Sequence, residues 1–195
     1  MKIFKSLDTV FLKDTAITIG NFDGVHLGHI QLIDALKRTG KTTGVVTFSN
    51  HPMHILTPKA DHTPLYSLEQ NLQFLKEVDV DFVVLLTFTK QLANQSYTEF
   101  LSFLKKHLDF SDLILGKGST IGKNKKGTQE KIEAFGHTLD FKCQFLEKKK
   151  INNIPISTSK IKQLLLKNDT VLAEKMLSRK YTGCYSSSSS SSSSG

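Results

Sequence analysis

Two histidines three positions apart, His26 and His29, stand inside the stretch TIGNFDGVHLGHIQLI, Thr18 to Ile33. Imidazoles at that spacing lie on one face once a helix has begun. Each can donate a ring N–H to an oxyanion, and a hydrogen bond to a charged group contributes about 1.5–3 kcal/mol. Two such bonds made only in a transition state would accelerate a phosphate reaction by roughly 10²- to 10⁴-fold. Gly24 and Gly28 leave the backbone open to a close ligand. A helix start also offers unpaired N–H groups and the positive end of the helix dipole, which suit phosphate. Polar capping of the helix is the structural alternative for this pair. Zinc is another, since two close histidines are common ligands. No third Cys, His or carboxylate ligand is evident in the sequence, although His51 or Asp23 could come near in space, so no metal site is assigned.

A second candidate lies in ISTSKIK, where Ser157, Thr158 and Ser159 open a helix and Lys160 and Lys162 follow within a turn. Hydroxyls and cations at a helix start again suit phosphate, and a plain serine cap with solvated lysines is the structural alternative. The segment Gly116 to Gly127, GKGSTIGKNKKG, carries Lys117, Lys123, Lys125 and Lys126. It reads equally as a phosphate-attracting loop or a solvated basic one. The run Lys148–Lys150 reads as a solvated turn.

These residues need a frame. The runs AITIG (16–20), GVVTF (44–48), DFVVLLTF (81–88) and DLILG (112–116) are short, apolar and β-branched, the pattern of buried strands. TLDFKCQFL (138–146) alternates and suits an edge. Between them, helical spacing follows His26 and stops at Gly40, Ser67 and Gln70 form a capping box, and Phe100, Phe103, Leu104 and Leu108 share one face. Alternating strands and helices predict a Rossmann-like three-layer α/β fold, with a mostly parallel five-stranded sheet and C-terminal helices split near Asn168–Asp169. Ligands of such sheets bind beyond the carboxyl ends of the strands, where His26, His29, His51 and the segment after Gly116 would converge.

The string GNFDGVHLGH resembles the His-x-Gly-His signature of the nucleotidyltransferase superfamily. With Asn21 to Val25 included, it resembles the FAD synthetase (FMN adenylyltransferase) module of bacterial bifunctional riboflavin kinase/FAD synthetases. VVTFSNHP, FTKQLANQSYTEFL and PISTSKIKQLLLKNDTVLAEKMLSRKYTG resemble further segments of that module in order, so the similarity spans roughly residues 15–183. The resemblance implies transfer of AMP from ATP to FMN, giving FAD and pyrophosphate, with Mg²⁺ on the phosphates. It implies that His26 and His29 stabilise charge on the α- and β-phosphates. Gly20, Asn21, Phe22, Asp23 and Gly24 would shape the adenine and phosphate pocket. Ser157, Thr158, Ser159 and Lys162 would hold the triphosphate from the other side. Phe48, His51, Pro52 and Gly116 would contact the flavin.

The sequence departs from the family pattern in places. Gly118 stands where the family has Asp, and Ser119 and Ile121 replace aromatics. Lys160 and Lys162 stand where it has arginines, which keeps charge and loses the bidentate fork. A related nucleotidyltransferase with another phosphorylated acceptor, and a non-catalytic nucleotide- or flavin-binding protein, are the alternatives. The family's riboflavin kinase module should follow near Gly183. It is expected to be absent, with residues 184–195 a serine-rich tail, linker or unassigned segment and 1–183 the nucleotidyltransferase domain.

Composition reads as soluble and globular. The chain is 38% hydrophobic and 23% charged, with a net charge of +8 that favours anionic partners. No RNA- or DNA-binding pattern accompanies the basic runs. The longest apolar block is too short to span a bilayer, the N-terminus lacks a signal-peptide core, and the two cysteines form no metal pattern. A cytoplasmic location is expected.

Overall fold

The computed structural model describes residues 1–183 and residue 185; Cys184, Ser186–Ser194 and Gly195 lie outside the described residues. In chain order the elements are β1 (Lys2–Phe4), β2 (Thr15–Ile19), α1 (Leu27–Lys37), β3 (Thr42–Phe48), α2 (Met53–Leu56), α3 (Leu68–Glu77), β4 (Phe82–Leu86) and α4 (Lys90–Ala93). They continue with α5 (Tyr97–Leu108), β5 (Phe110–Gly116), α6 (Gln129–Leu139), β6 (Lys142–Leu146), β7 (Lys150–Ile151), β8 (Ile154–Pro155), α7 (Thr158–Leu166) and α8 (Thr170–Leu177).

Six strands form one sheet in the order β1-β4-β3-β2-β5-β6, every pair parallel. The three-layer α/β architecture agrees with the sequence pattern, with one strand more than the five expected. The reason for the apolar strands is visible in their alternation. Val45 and Val83 face one helical layer with Ile33 and Leu75, while Val46 and Val84 face the other with Leu101, Leu104 and Leu108. A strand covered on both faces has no solvent side to mark with polar residues. Leu101, Leu104 and Leu108 are fully buried. Each contributes about 1.5–3 kcal/mol relative to exposure, and Leu104→Ala would cost about 2–5 kcal/mol.

Both edges are irregular, and there the sequence pattern is weakest. β1 has only three residues beside charged neighbours. The reading of Thr138–Leu146 as a strand is corrected: Thr138 and Leu139 end α6, Asp140 turns left-handed at φ 58°, and β6 starts at Lys142. Helix α6 packs Ile132, Phe135 and Leu139 on the core at i, i+3 and i+7, a helical stripe whose last residue also begins the alternation Leu139, Phe141, Cys143, Phe145 that reads as strand. Gly136 is required there, because a Cβ would lie 2.6 Å from the Phe141 carbonyl oxygen. The run Lys148–Lys150 is also corrected: Lys150 belongs to an antiparallel ribbon, β7 with β8, joined by Asn152 and Asn153 at positive φ. That is the backbone a two-residue hairpin demands.

Helices α7 and α8 form a small core of their own with Leu65, Tyr66 and Ile156. Among the described residues, no helix is long and apolar enough to cross a membrane.

The order of the strands decides where a site can form. From β2 the chain winds outward through β3 and β4, then returns to the other side through β5 and β6. The direction reverses between β2 and β5, and a crevice opens beyond the carboxyl ends of strands at such a reversal. The Gly20–His26 turn lies there.

Candidate active site

The turn from β2 into α1 is tightly wound. Phe22, Gly24 and Val25 have φ of 51°, 88° and 40°. Left-handed backbone is rare for a bulky or β-branched residue, and it persists only where neighbours over-determine it. Here they do. The buried Asp23 carboxylate accepts from the Leu65 and Tyr66 amides at 2.8 and 3.2 Å and from Asn71 Nδ2 at 3.2 Å. The Gly24 amide donates to Asn71 Oδ1 at 2.8 Å, and Thr47 Oγ1 donates to the Asn21 carbonyl at 3.1 Å. Thr158 Oγ1, at the start of α7, donates to the Asp23 carbonyl at 3.0 Å. Arg179 donates Nη1 to the Gly24 carbonyl and Nη2 to the Val25 carbonyl, the latter at 3.2 Å.

His26 is the N-cap of α1. Its Nδ1 accepts from the Gly28 and His29 amides at 3.1 and 3.3 Å. The histidine itself therefore occupies two of the N–H groups that the sequence suggests are open to a phosphate. An accepting Nδ1 in a neutral ring places the proton on Nε2, which leaves that atom as a donor. His29 stacks on His26 with ring centroids 3.7 Å apart, and Phe22 lies 4.6 Å from the His29 ring. Burial pushes His26 down to about 4, with the Arg179 charge adding to the effect. Burial, then the His26 and Arg179 charges, hold His29 well below the ordinary value. Both rings are neutral at pH 7. The His29 Nδ1 atom is buried and has no hydrogen-bond partner.

Three clefts meet at this turn. The central one, about 280 Å³, is lined by His26, His29, Gly20, Asn21, Phe22 and Gly116, with Ser157 and Thr158 among its walls and Lys148 and Lys149 contributing cations. An apolar cleft of about 510 Å³ lies between Phe48, Pro52, Phe88, Leu92 and Ile121. A third, about 330 Å³, takes in Phe22, Phe48 and the imidazoles of His51, His54 and His62. Asn21 lines all three.

The structure thus brings together His26, His29, Gly20, Asn21, Phe22, Ser157 and Thr158. Asp23 and Gly24 stand behind the central cleft and fix the turn, and Asp23 reaches the third cleft instead. Ser159 is exposed and lines none of the three clefts. Lys162 lines none of the three clefts; its Nζ lies 5.4 Å over the Tyr185 ring, and its charge is felt by His51 of the third cleft. Of the four residues implied for a flavin, Phe48 bridges two clefts, sharing the large one with Pro52 and the third with His51, while Gly116 lines the central one. Among the described residues no group of His, Cys, Asp and Glu is arranged to hold a metal ion.

Sequence reasoning passed over Arg179 and Asn71 and took Lys148 and Lys149 for a solvated turn, whereas both line the central cleft. Asn71 and Arg179 act through contacts 47 and 155 positions away, which no local pattern reports. The one available signal for Arg179 is its rarity: it is one of two arginines in a lysine-rich chain.

A doubly wound parallel sheet with its crevice at the β2–β5 reversal and a histidine-capped helix at its mouth defines a Rossmann-like α/β protein built around a small-ligand site. The family model described as FAD synthetase matches residues 9–160. The chain belongs to that family. It is 30% identical over 177 residues to the bifunctional riboflavin kinase/FMN adenylyltransferase of Bacillus subtilis (strain 168), covering 86% of this chain and 54% of that one. It is 28% identical over 178 residues to the protein of the same name from Buchnera aphidicola subsp. Schizaphis graminum, covering 87% and 56%. The chain spans little more than half the length of these relatives. The fold is shared with a crystal structure titled macrolide-efflux protein from Streptococcus pneumoniae, at TM-score 0.79 and 23% identity over 91% of this chain and 61% of that one. It is also shared with pantoate-beta-alanine ligase from Francisella tularensis, at TM-score 0.60 and 15% identity over 87% and 77%.

Proposed function

We propose that residues 1–183 are an FMN adenylyltransferase domain, joining ATP and FMN to give FAD and pyrophosphate. The observation that carries this reading is the meeting, along Ile19, Gly20, Asn21 and Ser119, of the histidine-bearing cleft and a larger cleft that presents Phe48, Phe88 and Leu92. Joining two nucleotides requires that geometry: a phosphate centre with room for a base on one side and a ring system on the other.

A phosphate oxygen of FMN attacks the α-phosphorus of ATP, the bond from that phosphorus to the bridging oxygen breaks, and pyrophosphate leaves with the electron pair. His26 donates from Nε2 to a phosphate oxygen, and His29 adds a second donor. Ser157 Oγ already accepts from the Lys160 amide and has its own hydrogen to offer. Lys148 and Lys149 supply positive charge that two neutral imidazoles cannot. Phe48 and Pro52 face the flavin ring in the apolar cleft. Catalysis on this reading is positioning and electrostatics, with no covalent enzyme intermediate. A divalent cation, Mg²⁺ in this reading, would be held by the ATP phosphates and would offset part of their charge. Asp23 is already engaged by backbone amides, so the turn offers that ion no free carboxylate. The reaction belongs in the cytoplasm, where both nucleotides are present.

The test is purified protein with Mg²⁺, ATP and FMN, followed by chromatography for FAD and a coupled assay for pyrophosphate. Both products are expected. Absence of both at micromolar enzyme, with ATP still bound by calorimetry, would favour a different acceptor or a binding protein.

A further inference from the structure

We propose that Arg179 is a positioning residue of the nucleotidyl-transfer site, pinning the Phe22–Val25 turn from behind so that His26 and His29 are held at the central cleft. The inference rests on the adenylyltransferase reading for its chemistry and on independent geometry for its structure. Arg179 lies outside the region 9–160 that matches the family model. It follows α8, whose C-cap Ser178 is left-handed at φ 57° and whose last turn receives the Arg179 amide at Glu174. Tyr181 then donates its amide to the Glu174 carboxylate, which bends the chain back toward the turn.

The guanidinium is held on three sides. Its carbon sits 3.9 Å over the Phe74 ring centroid, a cation–π stack that fixes its plane. Two of its nitrogens then reach the successive carbonyls of Gly24 and Val25. Successive carbonyls can face one cation here because both residues have positive φ, which Val25 adopts only under constraint. The next residue is His26. A rotation in Val25 moves the His26 ring, and through its Nδ1 bonds and its stack on His29 it moves both imidazoles. A lysine would keep the charge but has no planar fork to hold two carbonyls at once. Thr158 grips the Asp23 carbonyl from α7 in the same way. The turn is thus clamped to the C-terminal helices at three consecutive carbonyls, Asp23, Gly24 and Val25.

The test uses the full chain carrying Arg179→Lys and Arg179→Met, the second keeping the apolar stem over Phe74. The readouts are kcat and KM for ATP in FAD formation, and amide hydrogen exchange at Gly28 and His29. A shift of about 1 Å in reacting groups costs up to roughly 10²-fold in rate. Both variants should therefore lose at least roughly tenfold in kcat while KM for ATP moves less than about threefold. Exchange at the two amides should quicken while that of core strand β3 stays as in the parent. Guanidinium ion added to Arg179→Ala should restore part of the turnover. A kcat within about twofold of the parent in a folded variant overturns the proposal, as does a loss carried wholly by KM. Should the arginine variants fail to fold, Phe74→Leu withdraws the ring alone, and an unchanged kcat there overturns it too. If the parent protein makes no FAD, the adenylyltransferase reading falls instead, and the exchange rates still decide whether Arg179 holds the turn.

Discussion

His26 should behave as a titrating helix cap. Its ring accepts two backbone amides at Nδ1, and a proton on that atom would eject both. In the fold its pKa is about 4, against an ordinary 6.5. Between those values the unfolded chain binds more protons than the folded one, so stability rises with pH across the window. The contribution is fully present above pH 6.5 and is lost as pH falls toward 4. Taking the protein from pH 7 to pH 4.5 removes about 2 kcal/mol through this residue alone. The control is His26→Asn, because asparagine caps helices well and does not titrate. Urea unfolding of parent and variant at the two pH values isolates the effect, since other titrating groups are common to both. The stability gap between them should shift by about 2 kcal/mol against the parent on acidification. An NMR pH titration of the His26 ring gives the same quantity directly. A gap that stays constant, or a ring that titrates near 6.5, would refute the capping geometry from which the argument starts.

Asp23→Ala leaves the buried Leu65 and Tyr66 amides without their acceptor. Unsatisfied buried donors cost about 1–3 kcal/mol each, so urea unfolding should show a loss of about 2–5 kcal/mol, and a change well under 1 kcal/mol would contradict the assignment. On the adenylyltransferase reading, His29→Ala should lower FAD turnover at least roughly tenfold with the fold retained, because it would remove one donor to the transferring phosphate; unaltered turnover would remove His29 from the mechanism. Burial pushes the Cys143 thiol up to about 12, so it is protonated at neutral pH. In a Cys184→Ser background it should resist a thiol reagent at pH 8 until the protein is unfolded, and rapid labelling of the native protein would show the strand edge to be open.

What could be read from the sequence was read where the cause is local. The core strands are apolar on both faces because helices cover both faces, so an unbroken run of Val and Leu identifies them. Ser67 caps Gln70 and Asp169 caps Leu172 over three positions, well within reach of inspection. Strand β1, three residues long, leaves no periodic trace. Helix α6 does carry one, Ile132, Phe135 and Leu139, but its end runs into the alternation of the following strand and reads as part of it. Their positions are set by neighbours distant in sequence: β1 by pairing with β4, and α6 by the packing of Ile132 in the core.

The site divides along the same line, and the division changes what its residues do. Asp23 reads in the sequence as a ligand contact, because it stands in a motif beside two histidines. In space its carboxylate belongs to amides 42 and 43 positions onward, and its carbonyl to Thr158. The helix start reads as a set of open amides ready for phosphate, yet His26 covers two of them with its own ring nitrogen. An anion arriving in the central cleft therefore meets imidazole N–H groups in place of the Gly28 and His29 amides, and it meets them uncharged. Neutral donors on a phosphate would make the cleft less dependent on pH, and would leave the positive charge in the cleft wall to Lys148 and Lys149, while Arg179 holds the turn from behind. The two lysines lie in the β6–β7 connection and the arginine beyond α8, far from the motif in sequence, which is why the motif alone marks the cleft without showing what else surrounds and fixes it.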